Sequence, residues 1–569
     1  MQHKILASAL IAAMGVGAMS AADAASADKI ETGRLGRLSS SALVTKLHLG
    51  NGSALVSDAR VRTAKGTTKT RERQLYRGVP VYGSSLVVER DRAGTILRVN
   101  GEAQRNLAAE VPSVQPRITA AQAQAALKSK AGHRSVRSVE NASNDLLVYS
   151  PDNAPARLVY RSSYFTTFNG KPTRPTALID ASTGKILRQW DALTNGRRPP
   201  GGTSTPVAAT AYGPGGNGFT GIYNYNGIGA GHDPLQVTRI GNVCYTENAD
   251  VATYNIIGSN RLTLWSFGCG IGTPAGTSSG DAINGAASPI NDAHHFGGVV
   301  HDMYSAWFGT PPLTTDGTTP MRLDMWVHYG TNYGNAFWTG KQMVFGDGDS
   351  YFYPFVVLDI TSHEISHGFT EQHSGLEYVG QSGGMNEAFS DMAGEAAKYF
   401  DRGTNNFLVG DEIIKPAAVP VLGPSLRDMC TPSNDGASID SARDYYEGLD
   451  VHYSSGVYNR AFCNLANTTG WDTRKAFEVF HDANALYWSP SESFNGGACG
   501  VEQAAVDRGY PAADVTAAFA EVDVACALRV SDRTGRHGGP CLPESIQPMA
   551  ARTRPRVAGC RQKFQEQTR

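Results

Sequence analysis

Apolar and polar positions alternate through much of residues 27–193, the pattern of half-buried β-strands, and one helical stretch interrupts them. Two segments there echo each other, "RDRAGTILRV" and "DASTGKILRQ". Each sets Gly and polar residues ahead of a strand-like run, which predicts a hairpin turn entering a strand. Residues 210–358 are dominated by Gly, Asn, Tyr and Thr, with short β-like runs such as "RLDMWVHYG" and "KQMVFGDGDS". From 359 to 526 helical patterns take over, as in "MNEAFSDMAGEAAKYF" and "DTRKAFEVFHDANALYW". A β-rich half followed by a helical half predicts an α+β fold with a cleft between the two.

The stretch "TNGRRPPGGTSTPVAA", residues 194–209, is rich in Gly, Pro, Thr and Ser and holds a dibasic pair. It reads as an exposed linker open to cleavage, and so as a domain boundary. At the N-terminus His3 and Lys4 precede the apolar run "ILASALIAAMGVGAM" and small-residue cleavage candidates at 22–24 and 25–27, which predicts an export signal over residues 1–25. The run is too short and too rich in small residues for a membrane span. After Cys526 the chain carries many arginines, several prolines and little apolar content, and reads as a removable basic extension over 527–569.

At 569 residues, with 41% hydrophobic and 18% charged side chains, the chain can build more than one core. The balance of 51 Lys and Arg against 52 Asp and Glu gives no electrostatic case for nucleic acid or for a membrane surface. Eight cysteines in an exported chain suggest up to four disulfides. Their spacing invites local pairing: Cys244 with Cys269, Cys430 with Cys463, Cys499 with Cys526, and Cys541 with Cys560. Connectivity stays open, since eight cysteines allow about 105 pairings.

"ITSHEISHGFTEQHSG", residues 360–375, carries chemistry. On a helix His363 and His367 lie about 40° apart, one turn from each other, so both imidazoles reach one ion. Glu364 beside them suits a carboxylate that takes a proton from the attacking water without ligating. Catalytic zinc needs a third protein ligand and one open position. His373 is one candidate, but the glycine that would turn the chain back toward the metal is replaced by Thr370, and in a continuous helix His373 points about 80° away from His363. Downstream, Glu387 and Asp391 fall at i and i+4 of a helical segment. One could ligate while the other fixes a histidine tautomer.

With "HEISH", "GGMNEAFSD" twenty residues past the second histidine, "NAFWTG" at 335–340 and "DVHYSSGVYNRAF" at 450–462, the chain closely resembles the thermolysin family of secreted zinc metalloproteases, most of all its vibriolysin and pseudolysin branch. The resemblance covers residues 210–526. It implies a two-lobed catalytic domain, with a β-rich lobe over 206–358 and a helical lobe over 359–526. The region around "RQLYRGVPVYG" resembles the family's propeptide, of fungalysin/thermolysin type with a PepSY-like part, over 26–205.

Matched motif by motif, the resemblance implies one zinc held by His363, His367 and Glu387, Glu364 as general base, and Asp391 orienting His363. It implies oxyanion donors in His452 and Tyr378, Asp450 holding His452, and Arg427 binding a substrate carbonyl. Asn335 and Ala336 would pair with the substrate backbone as an added strand. Phe355, Ile360 and Leu426 would line an apolar pocket for a large hydrophobic residue just after the cut. Asp359 and Glu395 match calcium positions, but Lys398 and Asn406 stand where the family usually has carboxylates. Calcium is therefore expected to bind weakly or not at all, with Lys398 as the alternative partner of those acids.

The implied enzyme is a secreted monomer, made as an autoprocessed zymogen whose propeptide assists folding and inhibits. It would act on proteins or peptides, with no nucleic acid and no membrane partner after signal removal. Two rival readings remain. "GQSGG", residues 380–384, matches the G-x-S-x-G elbow of serine hydrolases, with Ser382 as nucleophile. A catalytically dead binding module is the other, opposed by the joint presence of Glu364, Glu387 and His452.

Overall fold

The computed structural model describes residues 26–526, apart from 134–135, 137–138, 152–154, 169–170, 194–205, 229–230, 258–260, 271, 273, 275 and 279. The export segment 1–25, most of the linker, and the extension 527–569 with Cys541 and Cys560 lie outside the described residues.

Both echoing segments are hairpin turns. Asp91 Oδ1 accepts from the N–H groups of Ala93 and Thr95, at 2.9 Å each, and Asp180 Oδ1 accepts from those of Ser182 and Thr183, also at 2.9 Å. Gly94 and Gly184 supply the positive φ, 80° and 75°, that a side chain would resist. The strands around these turns belong to a ten-stranded sheet. Its main path runs Ser26–Thr32, Ile96–Arg105, Val79–Arg90, Glu140–Tyr149, Arg157–Phe168, Pro175–Asp180 and Ile186–Asp191. The two halves meet through a single parallel pairing of Val81 with Val148.

Where the pattern predicts one helical stretch, three helices occur: α1 (Ser40–Lys46), α2 (Leu107–Glu110) and α3 (Ala120–Lys130). Caps start two of them. Ser39 accepts from the N–H of Ala42, and Thr119 and Gln122 form a reciprocal capping box.

Beyond the linker, a second sheet of five strands runs Arg261–Leu264, Val251–Ile257, Leu323–Tyr329, Gln342–Gly346 and Ala336–Trp338, the last at its edge. The run "RLDMWVHYG" is its centre. The supposedly β-rich lobe also contains a 20-residue helix, α4 (Pro289–Phe308). Its first nine residues are almost all buried, so no polar stripe announces it. The helical lobe follows as α5 (Leu358–Gln372), α6 (Gly380–Arg402), α7 (Val419–Leu422), α8 (Val451–Ser454), α9 (Gly456–Ala466), α10 (Thr473–Leu486), α11 (Phe494–Arg508) and α12 (Ala512–Ala520).

One continuous core, from Val251 to Val524, joins the sheet, α4, α5, α6 and α9 to α12. Trp338, Tyr304, Phe369, Phe389 and Phe477 are fully buried in it. A large apolar side chain contributes about 1.5–3 kcal/mol on burial. Disulfides join Cys244 to Cys269, Cys430 to Cys463 and Cys499 to Cys526. No described helix is long and apolar enough to cross a membrane.

Candidate metal centre and active-site cleft

Two close helix contacts build the centre. A Cβ at Gly394 of α6 would lie 2.9 Å from the Asp359 carbonyl of α5, and one at Gly368 of α5 would lie 2.8 Å from the Trp338 ring on the edge strand. Only glycine permits either approach. As a result α5 is pressed between α6 and the strand Ala336–Trp338.

His363 and His367 then face Glu387 across the α5–α6 contact. Their Nε2 atoms are 3.0 Å apart. His363 Nε2 is 3.6 Å from Glu387 Oε2, and His367 Nε2 is 3.4 Å from Oε1. Donors at about 2.0–2.1 Å from a tetrahedral zinc lie about 3.3 Å from each other, so the three fit one such ion. Glu387 Oε2 is buried and without a hydrogen-bond partner among the described residues, as an atom reserved for a cation would be. The outer nitrogens are committed elsewhere. His363 Nδ1–H donates to Asp391 at 2.9 Å, and His367 Nδ1–H to Asn386 Oδ1 at 2.8 Å. Both Nε2 lone pairs are thereby turned inward.

Asp391 is saturated: it also accepts from Arg427 at 2.6 and 2.7 Å and from Asn459 at 2.8 Å. Burial alone would raise its pKa, yet Arg427 and His363 hold the carboxylate well below its usual range. Glu364, 6% exposed, stands outside the trio, and burial pushes its pKa above the ordinary value. This is the direction that suits a carboxylate asked to hold a proton near neutrality. Asp450 caps α8 by accepting from the His452 backbone N–H at 2.9 Å and binds His452 Nδ1 at 2.8 Å. His452 Nε2 is left 3.4 Å from the Tyr378 hydroxyl and 3.7 Å from Glu387. The Tyr378 hydroxyl itself donates to Glu387.

Asn335, Ala336, Phe355, Ile360, Tyr378, Leu426, Arg427, His452 and the metal-type trio all line one cavity of about 600 Å³. The strand Ala336–Trp338 pairs only with Gln342–Gly346 among the described strands, which leaves its other flank without a strand partner.

His373 is not brought into the cluster. It ends α5, stacks on Phe369 and binds the Phe369 carbonyl through Nδ1; burial holds its pKa at about 3. Ser382 is no elbow either. It is buried in the first turn of α6, where its hydroxyl donates to the carbonyls of Glu377 and Val379. Nor does it cap that helix, since Val379 occupies the cap position.

Asp359 and Glu395 close on the Lys398 ammonium instead of on an open space. Lys398 Nζ is 2.8 Å from Asp359, 2.9 Å from Glu395, 3.1 Å from Asp411 and 2.9 Å from the Leu408 carbonyl. Asn406 Oδ1 lies 3.5 Å away. Burial opposes the charge, but Asp359, Glu395 and Asp411 together raise the lysine's pKa.

Sequence reasoning missed Asn386, adjacent to Glu387 in the quoted motif, and Asp411, which completes the lysine cage. It also missed how the N-terminal sheet sits on the cleft. Tyr82, Arg161, Arg174, Trp190 and Leu193 line the same cavity from the other side. Arg174 forms a two-pronged pair with Glu371 at 2.8 and 3.0 Å. Tyr82 donates to Glu377 at 2.5 Å, Arg188 reaches the same carboxylate at 3.1 Å, and Lys69 meets Asp507 at 2.6 Å.

Comparison with known proteins agrees with this geometry. Residues 220–371 match the thermolysin metallopeptidase catalytic domain, 374–524 its alpha-helical domain, and 56–103 the fungalysin/thermolysin propeptide motif. The chain is 45% identical to the hemagglutinin/proteinase of Vibrio cholerae, over 82% of this chain and 72% of that one. It is 44% identical to the neutral protease of Vibrio proteolyticus, with the same coverage. It is 38% identical to the zinc metalloproteinase MspA of Legionella longbeachae, over 92% and 99%. Two neighbouring histidines and a distant glutamate converging on one point, beneath a sheet that contains the propeptide motif, place the chain in the thermolysin family as a neutral zinc metalloprotease with its own propeptide.

Proposed function

We propose that the enzyme is a secreted endopeptidase that cuts on the N-terminal side of large hydrophobic residues, and that His363, His367 and Glu387 hold its zinc. Zinc, when bound there, supplies the Lewis acidity that brings the pKa of water toward about 7. Glu364 takes the proton of the attacking water and passes it to the leaving amine. His452 and Tyr378 donate hydrogen bonds to the oxyanion, a charge that appears only as the bond breaks. Arg427, fixed by Asp391, presents its remaining donor capacity to a substrate carbonyl, and Asn335 with Ala336 receives the substrate as an added strand.

The observation that carries the specificity is the apolar wall of Phe355, Ile360 and Leu426 in the same cavity as the metal-type trio. The N-terminal sheet acts as inhibitor and folding aid, held over the cleft by the pairs at Glu371 and Glu377. Calcium has no place at the Lys398 cage.

The test is hydrolysis of a peptide set that differs only in the residue after the scissile bond, with and without a zinc chelator. Leu and Phe peptides are expected to be cut at least tenfold faster than Ala, Asp or Lys peptides, with activity lost to the chelator and restored by zinc. Equal rates across the set contradict the pocket assignment. Chelator-resistant activity contradicts the metal assignment.

A further inference from the structure

Away from the cleft, a second set of ligand-type side chains converges. His232 lies in the loop after the strand Gly221–Asn224, where it bridges back to Tyr225. His295 lies in α4 and Asp401 in the last turn of α6. One donor atom from each lies within 4.8 Å of the other two. Among the described residues the catalytic trio is the one other group of this kind. On α6 the distance from Glu387 to Asp401 is fourteen residues, about 21 Å at 1.5 Å per residue, so this is not an annex of the cleft.

A second observation points the same way. His295 Nε2 is buried and has no hydrogen-bond partner among the described residues, a state that folded chains rarely leave uncompensated. The rings of His232 and His295 are 4.7 Å apart, with Tyr225 4.8 Å from His295 and Tyr223 4.6 Å from His232. Burial against these rings lowers the pKa of both imidazoles. A neutral imidazole offers the lone pair that a metal needs. Arg402, the cation next to Asp401, forms a two-pronged pair with Glu412 and keeps only a long contact of 3.8 Å from its Nε to Asp401.

We propose that His232, His295 and Asp401 form a second metal site, for zinc or a similar first-row divalent cation, which ties the β-rich lobe to the far end of α6. Two nitrogens and one carboxylate oxygen suit zinc and its neighbours and do not suit calcium or magnesium, which take oxygen cages. The site is structural. It pins the loop carrying His232 and the helix α4 to α6, the helix whose other end presents Glu387 and Asp391.

The test is the zinc content of the purified enzyme after dialysis against micromolar free zinc, in the wild type, His295→Phe and Asp401→Asn. Phenylalanine preserves the aromatic packing. Two zinc ions per chain are expected in the wild type and one in each variant, with peptide hydrolysis kept within about twofold. Cobalt substitution should show a second set of visible bands in the wild type alone. Should His295→Phe not fold, Asp401→Asn, at the solvent-facing end of α6, carries the comparison by itself. One zinc per chain in the wild type overturns the proposal, and so does a second zinc retained in a folded variant.

Discussion

At the scale of single residues, the cleft divides its side chains between those turned toward the point shared by His363, His367 and Glu387 and those that hold them there. His363 and His367 each give one nitrogen inward because Asp391 and Asn386 occupy the other. His452 follows the same logic with a different object. The charge of Glu387 and the bond to Asp450 raise its pKa and favour the imidazolium, which donates Nδ1–H to Asp450 and presents Nε2–H to the cleft beside Tyr378. In the role proposed for His452, this hydrogen bond is worth most when the oxyanion forms. His452→Ala is therefore expected to lower kcat by about 100- to 1000-fold, with KM changed only a few-fold and zinc retained. Steady-state kinetics with metal analysis checks this; an unchanged kcat with a raised KM would contradict the assignment.

At the scale of elements, α5 and α6 carry both the metal-type trio and, at the start of α5 and the later turns of α6, the Lys398 cage. The ammonium replaces an ion's charge with one built into the helix, so the α5–α6 contact needs no dissolved cation to neutralise Asp359, Glu395 and Asp411. The wild type is expected to melt at the same temperature in calcium and in a calcium-selective chelator. Lys398→Ala leaves three buried or nearly buried carboxylates unpaired, which should cost about 3–5 kcal/mol. Added calcium should recover part of that loss, because the oxygens remain in place. Melting curves of both proteins in both conditions decide it, and a calcium-dependent wild type would sink the idea.

At the scale of the whole molecule, the N-terminal sheet and the catalytic lobes share one cavity, and basic or hydroxyl side chains of the sheet meet Glu371, Glu377 and Asp507 of the helical lobe. An enzyme made in this state has to be released by cutting the chain between them. On the proposed mechanism, Glu364→Ala removes the proton carrier and leaves His363, His367 and Glu387 untouched. In a host without other proteases it is expected to keep zinc and to accumulate as the uncleaved precursor, seen as a single band of the longer chain. Normal processing of that variant would remove self-cleavage from the account.

What the sequence determined by itself is what depends on short spacing. Four residues on a helix put His363 and His367 on one face whatever surrounds them, and an Asp three or four residues ahead of a Gly makes the two echoing hairpins, whereas the pairing of the cysteines was settled only by the fold. Spacing alone left Glu387 and Asp391 as alternatives, and only the family resemblance singled out Glu387, because its position against His367 is set by how α6 crosses α5. α4 escaped because a helix buried on most sides shows no polar stripe. Three features belong to tertiary structure alone: the cage that Asp411 completes, the pairs between the N-terminal sheet and the cleft, and the meeting of His232, His295 and Asp401. Each joins side chains from separate elements. No local period records such contacts; they exist only once the packing of the core has chosen which helix faces meet.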